Sequence, residues 1–403
     1  MMERPYGAGR PRTHAFDRVP LILSFPEKLA AVETYGFVGS QGMTFLEGQL
    51  LIPHGVKAQT LFLFMHPAST LQLLPMPRAL AEAGLHVLCA GSRYAKNDSA
   101  LIMEKVVYDL GAYVRHAKEV LGYRKVVLVG WSGGGSLSLY YQSQAEQPSV
   151  THTPAGDPYD LTKAGLIPAD GIIFIAAHLS RAETLTEWLD PSVTDETDPD
   201  KRDPDLDIYD PDCPNKPPFS SAFIDRFRDA QRSRSARITQ CAEEWLARLR
   251  ERDNGEVERS FIVHRTMCDP RWIDPAIDPN GRPPGRCYLG DPRTANVGPA
   301  GIARYTSLRS WLSQWSIDRT FSRGPENARR ISRVPIFQIV NQADDAVPAT
   351  HNRIIASALT STARRDHEYV EIHGATHYYL GQDDKLETCI DHVLRWSGER
   401  GFA

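Results

Sequence analysis

Hydrophobic residues along this chain follow two alternating patterns. Continuous apolar runs that end in turns are typical of strands buried on both faces of a sheet. Such runs occupy residues 60–67, 85–90, 125–130 and 171–178. Between them, apolar residues recur at helical spacing near 72–83, over 100–121 and over 134–146. This rhythm predicts an α/β fold, with a mostly parallel sheet that carries helices on both faces.

The rhythm stops after residue 178 and resumes near residue 331. In between, the spacing over 221–252 predicts one long amphipathic helix, and 301–316 also reads as helical. Strand and helix patterns return at 334–340, 348–359, 367–373 and 384–397. Residues 32–53 alternate apolar and polar positions around glycines, as antiparallel strands do. The predicted organisation is an N-terminal extension (1–31), a core (32–178 and 331–403) and a large, mainly helical insertion (179–330).

The strongest chemical signal is Gly130-Trp131-Ser132-Gly133-Gly134, between the predicted strand 125–130 and the helix 134–146. In a Gly-x-Ser-x-Gly turn the serine sits on a strained strand-to-helix connection that exposes its hydroxyl above the sheet edge. The alternative is a structural turn, in which the glycines relieve crowding and Ser132 caps the helix. The placement between strand and helix favours Ser132 as a nucleophile.

A nucleophilic serine needs a neighbouring base. Of the thirteen histidines, His373 and His377 follow the last predicted core strand. His377 lies on the loop beyond Gly374, where it can turn back over the sheet edge, whereas His373 ends the strand and suits a structural role. We predict that His377 is the base.

The base in turn needs a carboxylate that fixes its tautomer. The segment after the preceding strand, IVNQADDAVP, contains Asp344 and Asp345. Because the two are adjacent, only one is expected to point at the histidine. The other would belong to the acidic start of the helix near Pro348.

In this order of nucleophile, acid and histidine, the chain resembles the α/β-hydrolase superfamily. The resemblance rests on the turn at 130–134, the acid loop at 341–348 and Gly-Ala-Thr-His at 374–377. In that family the acid stands three residues after a turn glycine and four before a proline, and Asn341 occupies the place of the glycine here. Both offsets fall on Asp344, so the resemblance implies a catalytic triad of Ser132, Asp344 and His377. It covers about 32–178 and 331–398, and it implies that 179–330 is the variable cap.

Acyl transfer also needs hydrogen-bond donors aimed at the oxyanion. The backbone N–H of Gly133, the residue after the nucleophile, is one predicted donor. The family has His-Gly-x after the early strand, with x as the second donor, and this chain has His66-Pro67-Ala68. Pro67 has no N–H, so the resemblance implies Ala68, with Ser69 as the alternative.

Aromatic side chains near these motifs and in the insertion are candidates for the substrate pocket, although each could equally be part of the core. The candidate substrate-binding residues are Trp131, His66, Trp311, Trp315 and Tyr378. Residues 190–212 hold ten acidic side chains, but the glycine turn and the final glutamate of a calcium loop are missing. We predict a solvated acidic loop that faces the arginine-rich helix around Arg226, with no metal and no organic cofactor.

Composition narrows the expected partners. A net charge of -4 over 403 residues gives no electrostatic reason to expect nucleic acid or an anionic membrane. No apolar run approaches the ~20 residues that cross a bilayer, and no apolar region of a signal peptide follows the N-terminus. The six scattered cysteines indicate thiols rather than disulfides or zinc ligands. We expect a cytoplasmic protein that acts on a small molecule, and the sequence leaves homo-oligomerisation open.

These features predict a serine hydrolase that cleaves carboxylic esters through an acyl-enzyme intermediate. One alternative is the same machinery acting on a lactone, a thioester, an amide or a carbon–carbon bond next to a carbonyl. A second alternative is a non-catalytic ligand-binding protein on a hydrolase fold. Measurable turnover separates this last class from the others.

Overall fold

The computed structural model describes residues 13–27, 42–252, 255–299, 301–360 and 366–403. The strands are β1 (Phe16–Pro26), β2 (Met43–Pro53), β3 (Thr60–His66), β4 (Val87–Gly91), β5 (Lys125–Ser132), β6 (Gly171–Ala177), β7 (Ser260–Ile262), β8 (Tyr305–Ser307), β9 (Ile336–Asn341) and β10 (His367–Ile372). The helices are α1 (Pro75–Glu82), α2 (Met103–Glu119), α3 (Gly133–Glu146), α4 (Arg181–Trp188), α5 (Ser221–Arg252), α6 (Pro292–Val297), α7 (Leu308–Ser310), α8 (Gly324–Arg330), α9 (Ala349–Thr360) and α10 (Asp383–Glu399). A π-helical turn, Trp311–Trp315, continues α7.

Eight of the described strands form one sheet in the order β1-β2-β4-β3-β5-β6-β9-β10. From β4 to β10 every pair of neighbours is parallel, whereas β2 runs antiparallel to both β1 and β4. The carboxyl ends of the parallel strands therefore meet at one edge, where ligands bind in open α/β sheets. The prediction of a mostly parallel sheet between helices is confirmed.

The central strands explain why helices cover both faces of the sheet. Successive residues of a strand point to opposite faces, and every residue of β3 is buried. Leu61 and Leu63 belong to the core on the side of α2 and α3. Phe62 and Phe64 belong to the core that contains side chains of α1 and α10. A strand without a polar face thus requires a helical layer on each side.

The first strand lies in a part of the chain that the sequence analysis assigned to an N-terminal extension. Phe16–Pro26 pair with Met43–Pro53 along the whole length of β1. The run Val19-Pro20-Leu21-Ile22-Leu23 is apolar throughout, so the sequence does not show the alternating pattern of an edge strand. In the structure Ile22 is exposed and Leu23 is buried. Residues 1–12 and 28–31 of the proposed extension, and the alternating residues 32–41, lie outside the described residues.

Between β6 and β9, which are neighbours in the sheet, the chain passes through residues 179–330, called here the connecting segment. Its longest helix, α5, has the predicted bounds. Buried polar contacts tie the segment to the core. Arg181 pairs with Asp98 at 2.6 Å, and the Ser313 hydroxyl lies 2.9 Å from a carboxylate oxygen of Glu104. The backbone N–H of Met103 donates to the same hydroxyl. Burial raises the pKa of Glu104 to about 7.

The acidic residues of 190–212 are less solvated than the sequence predicts. Asp190 and Asp207 are buried and both accept hydrogen bonds from Arg265, at 2.6 and 2.8 Å. On α5, Arg234 is fully buried and pairs with Glu196 at 2.7 Å. These ion pairs offset the cost of burying the charged side chains. The number of acidic residues in the sequence does not show which of them are paired.

The structure also bears on disulfides, metal sites and membrane-spanning helices. The six cysteines form no disulfide. Across the described ranges, no group of three His, Cys, Asp or Glu side chains is arranged to hold a metal ion. Of the helices in the described part of the chain, none combines the length and the apolar character needed to span a membrane.

Candidate active site

Ser132 stands at the turn between β5 and α3. Its backbone adopts φ +54° and ψ -125°, a conformation that non-glycine residues rarely take. Two of the surrounding glycines are required by close packing. A Cβ at Gly130 would come within 2.7 Å of the Gly134 carbonyl oxygen, and one at Gly134 within 2.4 Å of the Met65 carbonyl oxygen. The motif therefore brings α3 directly onto β3 and β5, and it holds Ser132 at the carboxyl edge of the sheet.

His377 reaches Ser132 from the loop after β10. Its Nε2 lies 3.2 Å from the Ser132 hydroxyl oxygen, and its Nδ1 lies 2.8 Å from a carboxylate oxygen of Asp344. All three side chains are buried. The structure brings together the three residues that the sequence analysis selected for the nucleophile, base and acid.

The carboxylate of Asp344 is oriented by its own loop. One oxygen accepts from the backbone N–H groups of Ala346 and Val347, at 2.7 and 2.8 Å, and the other faces His377. The neighbouring Asp345 is only partly buried. Burial and the adjacent Asp344 carboxylate raise the pKa of Asp345. The structure therefore joins Asp344, rather than Asp345, to the histidine.

Three contacts fix the loops that carry the acid and the base. The indole N–H of Trp131 donates to the His377 carbonyl at 3.2 Å. Asn341, at the end of β9, donates to the Thr376 carbonyl at 2.7 Å and accepts from the Tyr379 hydroxyl at 2.6 Å. The residue that replaces the family's turn glycine thus gains a positioning role, which the sequence analysis missed.

The connecting segment also supports the acid loop. The amide of Asn280 donates to the Asp344 carbonyl at 2.7 Å, and the indole of Trp272 donates to the Asp345 carbonyl at 2.7 Å. These residues lie in the irregular part of the segment, where no periodic pattern marks them. Their role depends on contacts between residues more than 60 positions apart.

The loop after β3 differs from the sequence expectation. The backbone N–H groups of Ala68 and Ser69 both donate to Nδ1 of His66, at 3.1 and 2.9 Å. Ala68 was the predicted second oxyanion donor and Ser69 its alternative. Both N–H groups therefore point at the imidazole of His66, which ends β3 and turns back towards the loop that follows it. The Gly133 backbone, by contrast, lies at the N-terminus of α3 beside the serine.

A cavity of about 460 Å³ opens above Ser132. One wall, called here the sheet wall, consists of residues at the strand ends. Its members are His66, Ala68, Trp131, Ser132, Gly133, His178, His377 and Tyr378. A second wall, called here the segment wall, comes from the connecting segment and consists of Arg181, Thr184, Trp188, Tyr288, Ile302 and Trp315.

Four of the five predicted substrate-binding residues line this cavity: His66, Trp131, Trp315 and Tyr378. Trp311 is not part of this lining, contrary to the expectation for it. Its indole donates to the Thr239 hydroxyl of α5 at 3.0 Å, and its ring packs near Phe261. The helical turn lies between the cavity and α5, so that Trp311 fills the core of the segment while Trp315 meets the cavity.

The sequence analysis missed the polar part of the cavity. Arg181 lies 4.3 Å from the centroid of the Trp315 ring and pairs with Asp98, which also lines the cavity. Lys96 is an exposed member of the same lining. Arg181 is the first residue of α4, and its position directly after β6 was the available signal, since loops after parallel strands build such sites.

His178 is a second buried histidine beside the base, with ring centroids 6.0 Å apart. The Thr184 hydroxyl donates to the Ser180 carbonyl at 2.8 Å and lies 2.9 Å from Nδ1 of His178. Since a hydroxyl has one proton to donate, Thr184 accepts from Nδ1, which leaves Nε2 unprotonated. Burial and the neighbouring His377 lower the pKa of His178 well below 6.5, so the ring is neutral.

No protein-family model matches the sequence, and no curated protein sequence is significantly similar to it. Among solved structures, DcsB in complex with a substrate analogue aligns with a TM-score of 0.50 and 12% identity, over 96% of this chain and 99% of that chain. The siderophore hydrolase EstB from Aspergillus fumigatus aligns with a TM-score of 0.47 and 15% identity, over 88% of this chain and 94% of that chain. A thermostable carboxyl esterase from Bacillus coagulans aligns with a TM-score of 0.47 and 12% identity, over 97% of this chain and 99% of that chain. The strand order, the turn at Ser132 and the likeness to DcsB along nearly the whole chain show that the protein has the α/β-hydrolase fold.

Proposed function

We propose that the protein is a serine hydrolase that cleaves carboxylic esters through an acyl-enzyme intermediate. The observation that carries the proposal is the continuous contact from Ser132 through His377 to Asp344, at 3.2 and 2.8 Å, which opens into a cavity. A purely structural turn has no need of a histidine and a carboxylate in this line. A volume of about 460 Å³ suits a small molecule.

In the first half of the reaction, the Ser132 hydroxyl oxygen attacks the ester carbonyl carbon, and its proton passes to Nε2 of His377. The carbonyl electron pair moves onto oxygen, where the Gly133 N–H stabilises it. His377 then donates the proton to the departing alcohol as the carbonyl re-forms. Asp344 orients the ring and stabilises the charge of the imidazolium.

In the second half, water takes the place of the alcohol. His377 removes a proton from the water, which attacks the acyl carbon bound to Ser132, and the carboxylic acid leaves as the serine recovers its proton. Each step uses side chains of this protein and water.

We propose that the connecting segment acts as a cap that selects the substrate. The segment wall supplies apolar contacts through Trp188, Ile302 and Trp315. It also supplies the charge of Arg181, which pairs with Asp98 of the core. This combination favours an ester with an apolar body and one polar substituent over a plain alkyl ester. The selectivity would act through the segment wall, while the reacting groups lie on the sheet wall.

The decisive experiment is labelling with a fluorophosphonate probe, followed by a panel of esters, lactones, thioesters and amides. The probe should attach to Ser132, and Ser132→Ala should abolish both labelling and turnover, with a loss of kcat of about 10⁶-fold. Ser69→Ala, which removes a second serine hydroxyl of the cavity lining, is the matched control and should keep both. Labelling that survives in Ser132→Ala would refute the assignment, and absence of turnover on every substrate would favour a binding protein.

A further inference from the structure

His66 presents one ring nitrogen to its own loop and the other to the cavity. Nδ1 accepts hydrogen bonds from the backbone N–H groups of Ala68 and Ser69, at 3.1 and 2.9 Å. Pro67 has no N–H to offer. The loop after β3 therefore directs its two nearest backbone donors at the imidazole, and neither is left free for a ligand in this geometry.

These contacts determine the tautomer of His66. A nitrogen that accepts two N–H groups carries no proton, and a neutral imidazole has one N–H. The proton of a neutral His66 therefore resides on Nε2. Burial, followed by the charges of Arg181 and His377, lowers the pKa of His66 well below 6.5. The ring is thus a neutral hydrogen-bond donor at the pH where a serine hydrolase works.

Nε2 of His66 lies beside the first oxyanion donor. A Cβ built on Gly133 would stand 2.7 Å from this nitrogen, so a larger residue would displace the ring from its present position. His66, Gly133 and Ser132 line the same cavity. Among the described residues no hydrogen-bond partner of His66 Nε2 occurs, and the atom does not belong to the fully buried polar atoms without a partner. Its N–H is available to a group bound over Ser132.

We propose that the Nε2–H of His66 is the second donor of the oxyanion hole, together with the backbone N–H of Gly133. The inference rests on the proposed hydrolase function and names a catalytic group that the sequence resemblance does not imply. When Ser132 attacks, the carbonyl electron pair moves to oxygen, which accepts hydrogen bonds from Gly133 and His66. His66 keeps its proton throughout, and the proton of the serine passes to His377.

A side-chain donor held in this way is well suited to the role. The two backbone N–H groups fix the ring before substrate arrives, so little reorganisation accompanies the reaction. A neutral imidazole can polarise a carbonyl oxygen without transferring its proton. Gly133 is then required for two reasons, since its N–H donates and its missing side chain makes room for His66.

The test compares His66→Asn with His66→Gln. In His66→Asn the amide oxygen can accept from Ala68 and Ser69 in place of Nδ1, but no donor reaches the position of Nε2. We expect kcat for an aryl ester to fall by about 10²- to 10³-fold, with KM and the melting temperature close to those of the wild type. His66→Gln carries an amide N–H towards the position of Nε2 but leaves the loop without its acceptor. It should retain more activity than His66→Asn at a lower melting temperature.

A trifluoromethyl ketone, which forms a tetrahedral adduct with a nucleophilic serine, supplies the second measurement. If His66 donates to the oxyanion, the inhibition constant should rise in His66→Asn by the same factor by which kcat/KM falls. Wild-type activity in His66→Asn would overturn the proposal and return the role to Ala68 or Ser69. A loss of activity with unchanged inhibitor affinity would also overturn it, because His66 would then only position the loop. Ester turnover and labelling of Ser132 in the wild type test the hydrolase function separately.

Discussion

The two walls of the cavity are built in different ways. On the sheet wall, Ser132 ends one strand and His377 follows another, and short hydrogen bonds connect them to each other and to Asp344 on the loop after a third strand. On the segment wall, Arg181 packs over Trp315 and pairs with Asp98 of the core, and Tyr288 stacks on Trp188. We infer that the regular sheet positions the proposed reacting groups, whereas packing of the connecting segment shapes the other wall.

If this division is correct, substitutions on the sheet wall should lower the rate for every substrate, and substitutions on the segment wall should change the preference among substrates. The following predictions test the division, beginning with the largest expected effect.

Asp344, which contacts His377 of the sheet wall, provides the strongest test. Asp344→Asn should lower kcat by about 10⁴-fold for all esters, because the histidine is left in the wrong tautomer. Asp345→Asn is the matched control and should have a far smaller effect, since its carboxylate does not face His377. Steady-state kinetics of both variants decide between the two. An equal loss in both would show that the carboxylates act as one unit.

The segment wall should respond to Trp315→Leu by a change in acyl-chain preference. Removing the ring enlarges the pocket, and each methylene of a substrate is worth about 10- to 200-fold in discrimination. We expect the ratio of kcat/KM for long and short acyl esters to change within this range, while short activated esters still turn over. Trp311→Leu, at a position outside the cavity, should lower the melting temperature without changing this ratio.

A change in preference caused by Trp311→Leu would contradict the division between the cavity lining and the core of the segment.

Asn280 sharpens the comparison because it belongs to the segment but contacts the acid loop. Asn280→Ala removes the donor to the Asp344 carbonyl and leaves that oxygen buried without it, at a cost of about 1–3 kcal/mol. We expect kcat to fall by about 10-fold for all substrates alike, with unchanged acyl preference. A change in preference would show that Asn280 acts through the pocket shape instead.

The smallest effects should appear in the pH dependence of stability. The folded pKa of His178 lies below its unfolded value of 6.5, so the unfolded state binds the extra proton and stability falls as pH decreases through 6.5. Glu104 has the opposite sign. Its folded pKa of about 7 lies above the unfolded value of 4.5, so stability falls as pH rises from 4.5 towards 7.

His178→Gln should therefore become more stable relative to the wild type on acidification below pH 6.5, by up to about 1.4 kcal/mol per pH unit. Glu104→Gln should become more stable relative to the wild type as pH rises from 4.5 to 7. Thermal denaturation of the three proteins between pH 5 and 8 measures both trends. Parallel curves for all three would contradict the assigned protonation states.

Local patterns predicted the parts of the molecule that local interactions build. The run before Gly130 and the helix after it occur as predicted because burial on both faces demands continuous apolar residues. Ser132 and His377 could be selected from their positions after predicted strands, since parallel strand ends meet at one edge. The preference for Asp344 over Asp345 came from the family resemblance.

The remaining features depend on contacts between distant residues. The sequence could not distinguish Trp311 from Trp315, because their different neighbours follow from how the π-helical turn packs between α5 and the cavity. Asp190 is acidic in sequence but buried in the fold, since Arg265 is brought to it from another part of the segment. The Ala68 N–H donates to His66 because of the conformation of the His66 side chain, and a sequence pattern does not predict that conformation.

The contacts of Ser313 with Glu104 and with the backbone of Met103 have a consequence for the motion of the connecting segment. Because these groups are buried, separating the segment from α2 would break several buried hydrogen bonds at once. Amides of the turn at Trp311–Trp315 and of α2 should therefore exchange with solvent deuterium in one cooperative opening, at a common rate. For the proposed hydrolase, this predicts that substrate enters between two walls that stay in place, without a lid that swings open.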